Sequence, residues 1–197
     1  ARLRAELKLT GPLLLSVGQL VPDKGHHLVI AALADLPGMQ LAIVGEGPQR
    51  SELQRLAAKM GVVERIAFVG NVPQSMLAKY YAAADITVLA SRAEGMPNVL
   101  LESIACGTPV VSTNVDGAAE VVDADAAGLL VEKRTEMDIA AAVRELMRVP
   151  RARVDVRKHA EQFSWTSTTE GLTALFGQLL TQSSSSASAN RTLQFPS

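Results

Sequence analysis

Short, wholly apolar runs alternate with longer stretches of helical period along most of this chain. Leu13 to Val17, Leu41 to Val44, Ile66 to Val69, Ile86 to Leu89, Val110 to Ser112 and Leu129 to Val131 have strand length and no in-out alternation. Such strands need cover on both faces. Between them, Lys24 to Leu36, Gln49 to Met60, Gln74 to Ala84, Val99 to Cys106 and the short Ala118 to Val122 read as helices, with Pro37-Gly38 and Gly61 as stop signals. The alternation predicts βαβ units, hence an α/β fold: a Rossmann-like, doubly wound parallel sheet with helices on both faces. Three more helices follow, Thr135 to Met147, then after Pro150 Arg153 to Glu161 and Thr166 to Leu180. From Thr181 the sequence turns to Ser183 through Ser186 and other small polar residues, too polar to offset the entropy of ordering. The expectation is one domain over 1–180 and a disordered tail over 181–197.

Composition narrows the function classes. The 197 residues hold 19 basic and 20 acidic side chains, a net charge of -1, so no cationic field is available for a nucleic acid and no nucleic-acid partner is expected. Cys106 is the single cysteine and cannot form an internal disulfide; with His26, His27 and His159 it makes no zinc-ligand spacing. A reducing compartment fits, so the expected location is cytoplasmic, with the inner face of a membrane as a further option. No apolar run approaches the roughly 18 to 20 residues of a membrane span, and no signal-peptide pattern opens the sequence. It opens at Ala1 on Arg2, Arg4, Glu6 and Lys8 interleaved with Leu3, Leu7 and Leu9, which reads as the interior of a longer polypeptide.

In an open parallel sheet, ligands bind beyond the carboxyl ends of the strands. After the first strand, Gly18 lets a ligand approach the backbone, and Lys24 stands just before a helix whose N-terminus attracts anions. A phosphate suits that place, although a solvated surface lysine would look the same. After the fourth strand, the segment Ser91 to Glu102 runs into a helix, where the N–H groups of Met96, Asn98 and Val99 are candidates for an anion and Pro97 falls where a missing donor is tolerated. Glu94 in the loop and Glu102 in the helix could face one cleft and accept charge-assisted hydrogen bonds from vicinal hydroxyls. Helix-dipole compensation alone would also explain Glu102.

Five segments in register resemble a known family: Gly18 to Gly25, Val44-Gly45-Glu46-Gly47-Pro48, Phe68-Val69-Gly70-Asn71-Val72, Glu94-Gly95-Met96-Pro97-Asn98-Val99-Leu100-Leu101-Glu102 and Gly107-Thr108-Pro109-Val110-Val111. Together with Phe163-Ser164-Trp165 they look like the C-terminal, donor-binding domain of the group 1 (family 4) glycosyltransferases, one half of a GT-B fold, over roughly Leu9 to Leu180. The resemblance implies a retaining transfer from a UDP- or GDP-sugar, with no metal and no cofactor, and an N-terminal acceptor domain as partner. It implies that Gly18, Gln19, Lys24 and Gly25 bind the donor, with Lys24 on its pyrophosphate, that the Val72 backbone holds the base, and that Glu102 accepts from the ribose hydroxyls. Glu94 would hold the transferred sugar as the catalytic residue, Asn98 and Val99 would offer their amides to the phosphates, and Gly95 and Met96 would complete the donor-binding set. One departure matters: Gln19 stands where the family usually has an arginine, so a fixed bidentate charge is replaced by a neutral amide and weaker or altered donor binding is expected. A second is Asp116-Gly117, where relatives commonly carry paired glycines.

Other signals carry less. Asp123-Ala124-Asp125 matches a manganese-binding pattern but sits in a turn before Gly128, and no metal site is read from it. Gly45-Glu46-Gly47 lacks the third glycine of a dinucleotide fingerprint, since Arg50 stands there. His26 and His27 open a helix without a triad partner. The basic residues Arg144, Arg148, Arg151, Arg153, Arg157 and Lys158 could touch an anionic membrane, but solvated helix faces explain them more simply. Asn190-Arg191-Thr192 is a glycosylation sequon without a secretory signal. The competing readings are a nucleotide-sugar epimerase of the same fold and a non-catalytic nucleotide-sensing domain, the latter favoured by Gln19.

Overall fold

The computed structural model describes residues 2–122 and 125–189. Six strands, β1 (Leu13–Val17), β2 (Gln40–Val44), β3 (Ile66–Gly70), β4 (Ile86–Leu89), β5 (Val110–Thr113) and β6 (Gly128–Val131), form one sheet in the order β3-β2-β1-β4-β5-β6. All five pairings are parallel, as the unalternating apolar runs predict. The helices are α1 (Arg2–Glu6), α2 (His26–Ala34), α3 (Arg50–Lys59), α4 (Gln74–Ala83), α5 (Asn98–Ala105), α6 (Ala118–Val121), α7 (Glu136–Arg148), α8 (Arg153–Ala160) and α9 (Trp165–Ala189).

The pleat of β1 sorts the core. Leu14 joins Val29 and Ile30 of α2, Leu53 of α3 and Val143 of α7 on one face of the sheet. Leu13 and Leu15 point the other way, into a cluster with Tyr81 of α4, while Leu100 and Ile104 of α5 pack with Val110 of β5 and Val156 of α8. Helices therefore cover both faces, and the expected doubly wound α/β sheet is the fold observed.

The chain divides into two units, residues 1–161 and 162–197. The second unit contains α9, which carries Leu172, Leu175, Phe176, Leu179 and Leu180 exposed along one stripe. The composition change at Thr181 predicts the end of order at Leu180, yet α9 continues to Ala189 through the serine run. No glycine or proline stands between Gln178 and Ala189 to stop it, and serine lowers helix propensity only mildly. The rest of the expected tail, with the Asn190 sequon, and the Asp123-Ala124 pair lie outside the described residues. Among the described residues no helix is long and apolar enough to cross a membrane.

The start of one helix differs from the periodicity. The helix after β1 starts at His26 and not at Lys24, because Pro22–Lys24 forms a separate 3-10 turn closed by Gly25 at φ 69°. A Cβ on Gly25 would stand 2.0 Å from the Ala90 carbonyl, so backbone and neighbour together require glycine there. At the other end, α1 is anchored by Arg4, which donates to the Ala83 carbonyl at 2.7 Å and pairs with Asp85 at 2.8 Å, while Asp85 also accepts the Leu13 N–H.

Candidate functional site

Strand β1 lies between β2 and β4, and the chain leaves β1 toward one side of the sheet and β4 toward the other. That reversal opens a crevice beyond the carboxyl ends of β1 and β4, the place where doubly wound folds bind ligands. Backbone contacts fix the two loops that form it. The Arg92 N–H donates to the Asp23 carbonyl at 2.8 Å, and Thr113 from the end of β5 donates to the Ser91 carbonyl at 2.7 Å. Arg134, after β6, donates to the Ala90 carbonyl at 2.8 Å and reaches the Pro22 carbonyl, so its guanidinium links three strand-end loops.

Lys24 and Glu94 meet across this crevice. The Lys24 Nζ lies 2.6 Å from Glu94 Oε1, and the buried Ser91 hydroxyl donates to the same oxygen at 2.6 Å. Seventy residues apart in sequence, the two predicted side chains form one partly buried ion pair. In this state one of the three ammonium donors of Lys24 is engaged by Glu94, and an incoming anion would share or displace that contact.

A second group stands on α4 and α5. Glu102 Oε1 accepts from Gln74 Nε2 at 2.7 Å, and Oε2 accepts from the Tyr81 hydroxyl at 2.7 Å. Tyr81 is 1% exposed, and burial first, then its bond to Glu102, pushes its phenol far above the ordinary range, so it stays protonated and donates to Glu102. Val72 and Val99 pack against the same apolar cluster as Tyr81, which brings the loop after β3 beside the start of α5.

The expected phosphate-facing amides need a correction. The Asn98 N–H donates to the Met96 carbonyl at 2.9 Å, so it is turned into its own loop and is not free for an anion; Pro97, with φ -79° and ψ 74°, precedes the helix as its cap and forces this turn. Gly95 and Met96 are exposed in the loop, and the Gly117 turn is packed beneath it, a Cβ there falling 2.9 Å from the Gly95 carbonyl. This contact accounts for the one glycine kept in Asp116-Gly117.

Gly18 leaves β1 with its N–H on the Val44 carbonyl at 3.0 Å. The Gln19 side chain is exposed, while its carbonyl accepts from His26 Nε2 at 3.2 Å. His26 Nδ1 lies 2.9 Å from Ser16 Oγ. Burial lowers the His26 pKa to about 4, so a neutral ring holds the turn beneath the crevice and is not a phosphate ligand. Cys106 is half-buried, its thiol pushed up by burial, and packs beside the Tyr81 cluster. Much of the basic stretch is occupied locally: Arg144 bonds the Asp35 carbonyl, Arg148 pairs with Glu145, Arg151 bonds the Asp125 carbonyl, and Arg153 reaches Thr108 and the Ala84 carbonyl.

Sequence reasoning missed Tyr81, Gln74, Ser91 and Arg134. Gln74 and Tyr81 are seven apart, one face of α4, which is the signal that could have found them. Arg134 had none, since its partners are backbone carbonyls chosen by the fold.

The model of the family described as "Glycosyl transferases group 1" matches residues 2–163. A D-inositol 3-phosphate glycosyltransferase of Acidothermus cellulolyticus is 35% identical over 200 residues, covering 92% of this chain and 44% of that protein. Sucrose-phosphate synthase from Thermosynechococcus elongatus superimposes with a TM-score of 0.78 at 32% identity, over 91% of this chain and 48% of that one. HepE from Anabaena, solved in complex with UDP-glucose, has the same fold, with a TM-score of 0.80 at 24% identity over 90% of this chain and 52% of that one. The chain spans less than half the length of the curated relatives it matches.

Proposed function

The chain belongs to the group 1 glycosyl transferases, and on that premise we propose that it is the donor-binding half of a retaining enzyme that moves a sugar from a nucleotide-diphospho-sugar to an acceptor. The observation that carries the reading is the Lys24–Glu94 pair at the β1/β4 crevice, with the clamped Glu102 on the adjoining helix. A donor lying in the crevice puts its diphosphate at Lys24, its ribose diol on Glu102, its base along the Val72 backbone and its sugar at Glu94. As the glycosidic bond breaks, the diphosphate gains charge, and an ammonium held in place stabilises that charge more in the transition state than before it. Glu94, released from Lys24 when the phosphate takes the ammonium, is then available to the sugar. No step of this requires a metal. Gln19 supplies no charge at the crevice mouth, so donor affinity is expected to be modest. An acceptor site belongs to another domain, and the chain alone is expected to bind donor without transferring sugar.

Calorimetry of the full chain with UDP, GDP and their glucose conjugates tests the roles separately. Glu102→Ala is expected to weaken free nucleotide and conjugate alike, by about tenfold or more. Glu94→Ala is expected to weaken the conjugate while leaving free nucleotide unchanged or tighter, because it removes the group that competes for Lys24. Equal losses on both ligands for both variants would refute the assignment.

A further inference from the structure

We propose that Tyr81 is a positioning residue that sets the Glu102 carboxylate as a two-point acceptor, and that it gives the site its preference for ribose over a sugar lacking both ring hydroxyls. This rests on the donor-site reading above. Each carboxylate oxygen of Glu102 takes one hydrogen bond from within the chain, Oε1 from Gln74 and Oε2 from Tyr81, both at 2.7 Å. A carboxylate oxygen accepts two, so one acceptor direction remains on each, an arrangement that matches the two hydroxyls of a cis diol. The two donors hold the carboxylate plane, and so determine where the remaining pair of lone pairs points.

Tyr81 is the better anchored of the two. Its ring is buried in the cluster with Leu13, Leu15 and Val44, and its carbonyl accepts the Thr108 hydroxyl at 2.7 Å. Thr108 is in turn bonded by Arg153 from α8. The ring is therefore held by packing on β1 and β2, and the backbone that carries it is held by the Thr108 loop. Gln74 is exposed and holds the other oxygen from the start of α4.

Tyr81→Phe removes only the hydroxyl and keeps the ring in the cluster, so the fold is expected to remain. The test is calorimetry with UDP and GDP, each beside its dideoxy form lacking both ribose hydroxyls. Wild type is expected to prefer the ribonucleotide. Tyr81→Phe should lose about tenfold on the ribonucleotide and less than twofold on the dideoxy form, and Gln74→Ala should show the same selectivity with a smaller loss. Equal losses on both ligands would make Tyr81 merely structural and overturn the proposal, as would an unchanged ribonucleotide affinity. Wild type that binds neither nucleotide, or does not distinguish the two sugars, would overturn the Glu102 assignment itself, and the proposal with it.

Discussion

Glu94 Oε1 receives both Lys24 and Ser91, and Glu102 receives both Gln74 and Tyr81, so each carboxylate of the site is held by two donors before any ligand arrives. The sequence places Lys24 and Glu94 in loops after strands and Glu102 in a helix's first turns, and the family resemblance, not their spacing, supplies the roles expected of them. Their holders were not legible, since a serine, a glutamine and a buried tyrosine look like ordinary turn, surface and core residues until the fold pairs them. His26 makes a further prediction at this scale. Its folded pKa near 4 lies below the ordinary 6.5, so the unfolded chain takes up a proton first; the stability this contributes is complete above pH 6.5 and is lost as pH falls toward 4. His27, lowered by burial in the same direction, adds to the trend. Urea unfolding at pH 7 and pH 5 is expected to show a loss of about 2 kcal/mol from His26 alone, absent in His26→Gln. An identical pH slope in wild type and variant would contradict it.

At the scale of elements, the apolar runs located all six strands to within a residue or so, because a strand buried on both faces leaves a continuous signature. Helix ends were less legible. The start of α2 is decided by the approach of Gly25 to the Ala90 carbonyl, a contact between segments sixty-five residues apart that no local pattern contains. Gly25→Ala is therefore expected to destabilise the chain by about 3 kcal/mol, combining left-handed strain with a backbone clash, and to displace Lys24 from Glu94. Thermal unfolding checks the first effect and nucleotide affinity the second. An alanine variant with wild-type stability would show that the two loops are not held together as described. Likewise α9 ignores the compositional break at Thr181, since nothing there terminates a helix.

For the whole molecule, the decisive feature is the order β3-β2-β1-β4-β5-β6 with its reversal between β1 and β4. Alternation of strands and helices predicts a parallel sheet but not which strands are neighbours; the observed order is what brings the Gly18 to Gly25 loop against the Ser91 to Pro97 loop. The central claim is that this crevice takes the nucleotide-sugar donor. A crystal structure of the chain grown with UDP-glucose tests it most directly. The account predicts the diphosphate on Lys24, the ribose diol on Glu102, and Lys24 Nζ withdrawn from its 2.6 Å contact with Glu94. A nucleotide bound elsewhere on the chain, with the Lys24–Glu94 pair intact, would contradict it.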